Sequence, residues 1–199
     1  MLKKIMLKKI AIASSLLIIM LMLYLIPTNE IELNNNQVLE YIYPNDLEVI
    51  YLLDNNNYLS RTKISVNNKN EISKAIDLIE GLTIKGKKKD IIPNGFKPLL
   101  PENTRILDIS LKDKILKIDF SKEFNNVDIN QEEQLIESLI YTLTSIEGID
   151  KITIYIEGNK LNVLPKNKIK LPEYLDKSYG INKKYELTSL SDINSFLVY

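Results

Sequence analysis

Two carboxylates near the middle of the chain are the side chains best placed for acid–base chemistry. Asp119 and Glu123 flank Phe120. Such a pair can supply a general acid and a general base when burial or a neighbouring charge separates their pKa values. The local alternation, however, places Asp119 on the polar face of a strand, and nothing near it in sequence would raise its pKa. We therefore expect no catalysis at this pair and predict that the chain is not an enzyme.

A lysine-rich segment, residues 85–89, is the second feature that could do chemistry. Clustered lysines can bind phosphate or an anionic polymer, but a run of like charges is more often a solvated surface loop. Arg105 follows a Pro-Glu-Asn-Thr turn and can pair with a carboxylate, for which a structural ion pair is the default expectation. We assign a ligand to neither feature.

Aromatic residues in the C-terminal tail are the candidates that we assign to binding. Tyr174, Tyr179 and Tyr185 stand in an otherwise polar segment, and such aromatics either pack back onto a domain or anchor a partner. Packing is the commoner outcome, and partner contact by at least Tyr179 and Tyr185 is our hypothesis. Tyr141 and Tyr155, by contrast, are expected at the edge of the core with the hydroxyl group in water.

The composition excludes several function classes. The chain has no Cys, His or Trp, so it can form no disulfide and no thiolate metal site, and it lacks the commonest metal ligand. Lys and Arg together number 26, as do Asp and Glu. The resulting net charge of zero gives no general attraction to nucleic acid. We expect no cofactor, no metal and no nucleic-acid partner.

The N-terminus predicts a membrane segment. Four lysines precede an uncharged run over residues 10–26, which as a helix would span about 25 Å, the short end of what crosses a bilayer. The run is longer than the apolar part of a secretory signal, and no small-residue cleavage site follows it. We therefore expect residues 1–26 to form cytoplasmic lysines and a signal-anchor transmembrane helix, with a cleaved signal peptide as the alternative. Residues 27–46 then form a linker, and the remainder is the extracytoplasmic part of a single-pass cell-membrane protein.

The first half of the remaining chain predicts a hairpin and a helix. Residues 48–53 and 58–66 have strand patterns on either side of an Asp-Asn-Asn-Asn turn. Asn70 is the expected N-cap of a helix with apolar residues at helical spacing, and Gly81 is its expected C-terminal cap. Residues 83–104 contain three prolines and are predicted to form a loop.

The second half predicts a hairpin, a helix and two further strands. Residues 107–111 and 116–120 alternate in polarity around a short turn. Asn130 and Glu133 have the spacing of a capping box at the start of a helix that Gly148 ends. Strands are expected at residues 152–156 and 161–163. The helix presents one apolar face, formed by Leu135, Ile136, Leu139, Ile140, Leu143 and Ile146.

The order of two strands, helix, two strands, helix and two strands predicts an α+β fold. We expect one antiparallel or mixed sheet with two helices on one face, behind the N-terminal transmembrane helix. The domain should extend over residues 47–164, and residues 165–199 should form a C-terminal tail.

The same residues resemble a known family. The resemblance covers roughly residues 47–164 and is a diffuse pattern without a catalytic signature. It is similar to the GerMN domain, and residues 175–182 are similar to segments that follow this domain in clostridial GerM-like proteins. The matching stretches are residues 100–107, 118–124, 132–135, 141–144, 148–152 and 156–160.

The resemblance implies a role in sporulation and spore germination. GerM-type proteins are exported and membrane-attached, help to assemble complexes between the two membranes of a developing spore, and resemble ring-building folds of secretion machinery. This chain shows one copy of the domain rather than two, has no cysteine for lipid attachment, and has Asp113-Lys114 where relatives often have Asp-Gly. We expect a membrane-anchored, non-catalytic interaction protein with protein partners in a spore envelope complex, self-association being one option. The alternative is a peptidoglycan-binding accessory module.

Overall fold

The computed structural model describes residues 47–68 and 70–183, together with residues 14, 15, 17–22 and 24. Contacts divide the chain into two compact units, residues 1–41 and 42–199, and the second contains the folded domain. The predicted linker, residues 27–46, lies outside the described residues, as do Tyr185 and the rest of the tail after residue 183.

The predicted transmembrane helix is wrong. Among the described residues, no helix is long and apolar enough to cross a membrane. The helical positions described in this segment fall between Ser14 and Tyr24, a distance of about 16 Å along a helix axis. The hydrocarbon core of a bilayer is about 30 Å thick. The other residues of the predicted helix lie outside the described part.

The folded domain begins with an antiparallel hairpin, as predicted. Strand β1 (Leu47–Leu53) pairs with β2 (Leu59–Ser65) in a register that joins Leu47 to Ser65 and Leu53 to Leu59. The Asp54 carboxylate closes the turn because its Oδ1 accepts the N–H groups of Asn56 at 2.8 Å and Tyr58 at 3.0 Å. A side chain that bonds the backbone two residues ahead is the reason that Asp starts such turns.

Helix α1 (Glu71–Leu82) starts as predicted and ends differently. The Asn70 side chain accepts the N–H groups of Ile72 at 2.9 Å and Ser73 at 3.3 Å, which is the expected N-cap. The prediction that Gly81 caps the C-terminus is wrong, since Gly81 lies inside the helix and Thr83 is the C-cap. A Cβ atom at Gly81 would lie 2.9 Å from Ile64 Cδ1. The glycine therefore allows the helix to lie close to the hairpin, and a larger residue would require Ile64 to shift.

A four-stranded mixed sheet, ordered β3-β4-β5-β6, forms the second half of the domain. Strands β3 (Ile106–Lys112) and β4 (Ile115–Phe120) are antiparallel, while β4 and β5 (Lys151–Ile156) are parallel. Strand β6 is the short Asn159–Lys160. The α+β class is thus confirmed, but its strands form two sheets instead of one.

Two tight turns explain where these strands begin and end. Asp113 and Lys114 both have positive φ, 50° and 62°, as a two-residue hairpin between β3 and β4 requires. Glu157 and Gly158, with φ of 49° and 77°, form the turn between β5 and β6. The returning strand therefore starts at Asn159, and the prediction of a strand over residues 161–163 is wrong.

Helix α2 (Glu132–Leu143) begins one residue later than predicted. The capping box is wrong because Gln131, not Asn130, is the N-cap, and no side chain caps the helix there. The N–H group of Asn130 instead donates to Asp128 Oδ1 at 2.7 Å, so that Asp128 fixes a turn ahead of the helix. The apolar residues are buried as expected. The polar residues Gln134, Glu137, Ser138 and Thr142 are buried as well.

Buried hydroxyl groups of α2 bond the outer edge of β1. The N–H group of Tyr51 donates to Thr142 Oγ1 at 2.9 Å, and the Tyr51 carbonyl accepts from Ser138 Oγ at 2.6 Å. Further along the edge, Ser145 Oγ donates to the carbonyl of Val49 at 3.2 Å. The helix thus supplies the partners that a third strand would otherwise provide.

We predict that Thr142→Val destabilises the domain by about 1–3 kcal/mol, because it leaves the N–H group of Tyr51 without its acceptor. The matched control is Thr144→Val at the end of the same helix. The Thr144 hydroxyl bonds only the Ile140 carbonyl, which also accepts the Thr144 N–H group, and the control should cost clearly less. Denaturant unfolding of both variants measures the difference. Equal losses of unfolding free energy in the two variants would show that the hydrogen bond from Tyr51 to Thr142 contributes no extra stability.

Candidate functional site

The Asp119 carboxylate holds a turn. We predicted an exposed side chain, but Asp119 is only 9% exposed, and that prediction is wrong. Its two carboxylate oxygens lie 3.1 and 2.9 Å from the Gly158 nitrogen, whose N–H group donates to them. The β5–β6 turn thus folds over the end of β4 and covers the side chain. The Asp119 carboxylate is therefore engaged in hydrogen bonds that fix the turn.

Glu123, the other carboxylate of this pair, has a lowered pKa. It lies in a short 3-10 helix, Lys122–Asn126. The Ser121 hydroxyl, followed by a backbone N–H group and the Arg105 charge, holds the Glu123 pKa below its usual value. A carboxylate with a lowered pKa is a poor general acid near neutral pH. Arg105 also exchanges hydrogen bonds with Ser121, since its N–H group donates to Ser121 Oγ at 3.0 Å and its carbonyl accepts the Ser121 N–H group at 2.9 Å.

The lysine-rich segment is partly neutralised by acidic neighbours. Lys88 lies 3.2 Å from Asp77 and Lys85 lies 3.1 Å from Glu102. These pairs agree with the expectation of a surface loop. Within the described part of the chain, no group of three or more Asp or Glu side chains is placed to hold a metal ion.

Sequence reasoning missed a buried carboxylate, Glu137, that anchors the C-terminal segment. Glu137 is fully buried in α2, and its carboxylate accepts the N–H groups of Asn182 at 2.7 Å and Lys183 at 3.3 Å. Burial raises the pKa of Glu137, although both hydrogen bonds oppose the shift. The Asn182 side chain also bonds the Leu59 main chain at 2.7 and 3.1 Å. We call residues 175–183 the C-terminal strap. A Glu placed between apolar residues of a helix was the signal that could have identified its anchor.

Tyr179 of the strap packs against α2. Its hydroxyl group donates to Glu133 Oε1 at 3.3 Å, and burial is the main cause that raises the Tyr179 pKa. Lys183 Nζ lies 3.4 Å from the Tyr179 ring centroid and 2.6 Å from the Glu133 carboxylate. Tyr141 joins the same region, since its hydroxyl group donates to the Lys177 carbonyl at 3.1 Å.

Tyr174 immediately precedes the strap and lies beside the sheet. It is 40% exposed. The amino groups of Lys151 and Lys160 lie 5.7 and 5.3 Å from its ring centroid. The next residue, Leu175, is buried and exchanges main-chain hydrogen bonds with Ile152 at 2.8 and 3.0 Å. Tyr174 and Tyr179 therefore contact different elements, and Tyr174 presents its ring from a fixed backbone.

A groove between α1 and β3 is a further candidate that sequence reasoning did not identify. Its volume is about 620 Å³, and residues 104–109 form one wall. Ile76 and Leu107 contribute apolar surface that is 36% and 46% exposed. The alternating pattern predicted β3, but it gave no sign that α1 would lie beside this strand.

The sequence of this α+β domain matches the model of a known protein family. The family model named Germane, described as "Sporulation and spore germination", matches residues 49–162, which is more than half of the chain. The chain therefore belongs to this family, and the GerMN resemblance is confirmed.

Individual relatives support the same family membership. The chain is 31% identical over 147 residues to the spore germination protein GerM of Bacillus subtilis strain 168, a match that covers 73% of this chain and 39% of that protein. The first GerMN domain of the B. subtilis sporulation protein GerM superimposes with a TM-score of 0.62 at 29% identity, covering 66% of this chain and 98% of that domain. The tandem GerMN domains give 0.65 at 30% identity, covering 73% and 51%. The match thus spans well under half of the full-length relative.

We predict that Glu137 makes the stability of the domain depend on pH. Its pKa is raised in the folded state, so the folded chain binds more protons than the unfolded chain. The stability from Glu137 is present below its ordinary value of 4.5 and is lost as the pH rises through the raised value. The difference in unfolding free energy between wild type and Glu137→Gln should therefore fall as the pH rises from about 4.5.

Glu123→Gln is the control for this experiment, because the Glu123 pKa is lowered. The corresponding difference curve should slope the other way. Urea unfolding across this pH range measures both curves. A flat curve for Glu137→Gln would contradict the effect of burial.

Proposed function

We propose that the chain is a non-catalytic interaction protein of sporulation or spore germination that acts in the cell envelope, outside the cytoplasm. Its membership of the family supports the process. The arrangement of its carboxylates supports the absence of catalysis, because Asp119 and Glu137 are hydrogen-bonded to backbone N–H groups and the Glu123 pKa is lowered. These are the bonds of structural residues, and a catalytic acid would need a raised pKa in an accessible site.

The observation that carries the proposal is the Tyr174 surface, formed by Tyr174, Lys151 and Lys160. An aromatic ring on a fixed backbone can anchor a partner at a small cost in conformational entropy. The two lysines add positive charge around the ring, which favours a partner with acidic groups. Tyr179 and Tyr185 remain candidates for the same role, Tyr179 through the part of its ring that α2 leaves exposed.

We predict that Tyr174→Ala impairs sporulation or germination when it replaces the wild-type chain in a host that lacks the gene. The matched variant Tyr174→Phe keeps the ring and should complement the defect, because the exposed hydroxyl group is not the anchor. Spore yield and germination rate are the readouts, and thermal unfolding checks that each variant is folded. A normal phenotype for Tyr174→Ala would reject this surface.

The carboxylate variant Glu123→Gln tests the alternative of an enzyme in the same host. It should complement fully if the chain is non-catalytic. Complete loss of function from Glu123→Gln in a normally folded protein would instead favour catalysis.

A peptidoglycan-binding module is the second candidate, favoured by the same ring and its lysines. An exposed aromatic ring can stack on a sugar, and lysines can pair with the carboxylates of the wall polymer. In this case the purified chain should be retained on isolated peptidoglycan. Tyr174→Ala and moderate salt should each reduce retention, since exposed charge pairs are screened. Retention that neither change reduces would exclude this surface.

A further inference from the structure

Strand β3 has an open edge. It is the first strand of the sheet order β3-β4-β5-β6, and across residues 47–68 and 70–183 no strand pairs with its outer side. An open edge displays N–H and C=O groups that another chain can pair with. Proteins commonly protect such edges with prolines or with charges that repel a second strand.

The hairpin register identifies the groups that face outward. Lys112 and Ile115 flank the two-residue turn, and Ser110 and Lys117 form the second pair along the ladder. Because hydrogen-bonded and non-hydrogen-bonded pairs alternate in an antiparallel ladder, these two pairs bond to each other across β3 and β4. The main-chain groups of Leu111, between them in register, therefore point to the open edge, as do those of Ile109 on the other side of Ser110.

The side chains of this strand are sorted by face. Ile109 and Leu111 are half-buried and pack against the core, next to the groove beneath α1. Asp108, Ser110 and Lys112 are exposed on the other face. The two charges have opposite signs and stand on either side of Ser110. Two antiparallel copies of this segment can therefore place each Asp108 opposite a Lys112.

We propose that β3 pairs antiparallel with β3 of a second copy of this chain, about a two-fold axis at Ser110. In this register Ser110 faces its own counterpart, and Asp108 of each copy faces Lys112 of the other. Ile109 faces Leu111 on the groove side. The outward main-chain groups of Ile109 and Leu111 form the hydrogen-bonded pairs, as an antiparallel ladder requires, and the two sheets become one.

Charge decides among the neighbouring registers. An axis at Asp108 would bring two carboxylates together, and like charges directly opposite are destabilising. An axis at Ile109 would place Asp108 opposite Ser110, so that Asp108 would keep only Lys117 of its own chain, 3.2 Å away, as a partner. Lys112 would gain no acidic partner in this register. Only the axis at Ser110 forms two opposite-charge pairs. This dimer rests on the proposed interaction function. It makes a second copy of the chain one of the partners.

Single cysteines test the register without interference, because the chain contains no Cys. Residues opposite each other in a non-hydrogen-bonded pair have Cα atoms about 4.5 Å apart, which suits a disulfide. Mild oxidation of the full chain in non-denaturing detergent should cross-link the Ser110→Cys variant into dimers. Asp108→Cys and Lys112→Cys should cross-link poorly alone and readily when the two variants are mixed.

Charge reversal tests the interface itself. Asp108→Lys places lysines opposite lysines, and Lys112→Asp places aspartates opposite aspartates. Each variant alone should dimerise about tenfold more weakly than wild type in sedimentation measurements. An equimolar mixture restores both opposite-charge pairs and should recover wild-type affinity. Both residues are exposed, and unfolding curves should confirm that the fold is unchanged.

Three results would overturn the proposal. The first is a chain that stays monomeric at every concentration, as it would if another protein's strand or a different segment occupied the edge. The second is association that charge reversal does not alter, and the third is cross-linking of Asp108→Cys alone as fast as Ser110→Cys. Tyr174→Ala should change neither readout, because Tyr174 lies beside β5 and β6. Failure of the dimer is therefore distinguishable from failure of the Tyr174 surface.

Discussion

The hydrogen bonds between α2 and the outer edge of β1 determine how the domain is assembled. Main-chain groups on a strand edge that is turned toward the core lose their water, and each costs about 1–3 kcal/mol if no partner replaces it. Ser138 and Thr142 lie four residues apart on one face of α2, Ser145 follows just after its C-cap, and the three side chains bond Tyr51 and Val49. The helix must therefore keep polar residues in the core. Its position against β1 is fixed by the geometry of these hydrogen bonds as well as by apolar packing.

Buried carboxylates use the same principle to attach loops to this frame. A carboxylate accepts several hydrogen bonds, and the N–H groups of irregular segments need acceptors when they are covered. Such bonds account for the acidic residues of the core, which would otherwise suggest catalysis. The bonds made by Glu132 and Glu137 also explain why the folded region continues beyond residues 49–162, the part that matches the family model. The three anchors are Asp119 to Gly158, Glu132 to Lys166 and Asn167, and Glu137 to Asn182 and Lys183.

Features encoded by neighbouring residues could be predicted from the sequence, and those that depend on distant partners could not. The β1–β2 hairpin, α1 with its Asn70 cap and the β3–β4 hairpin follow from local alternation and turn chemistry. The burial of the polar residues of α2 was not predicted, because nothing local indicates that Thr142 meets Tyr51, 91 residues away. The exposure predicted for Asp119 failed for the same reason, since its partner is 39 residues later. The transmembrane prediction relied on hydropathy, flanking lysines and the lack of a cleavage site, and no described helix is long and apolar enough to match it.

The two sheets differ in how their edges are treated, and this difference bears on function. The edge of β1 faces inward and its groups are bonded by α2, whereas the edge of β3 has no strand partner among the described residues. An unsatisfied edge in water costs little, but it remains available for pairing. The Tyr174 ring lies beside β5 and β6, toward the other end of the same sheet. The two proposed surfaces thus lie toward opposite ends of one sheet, and a partner at one of them would not block the other.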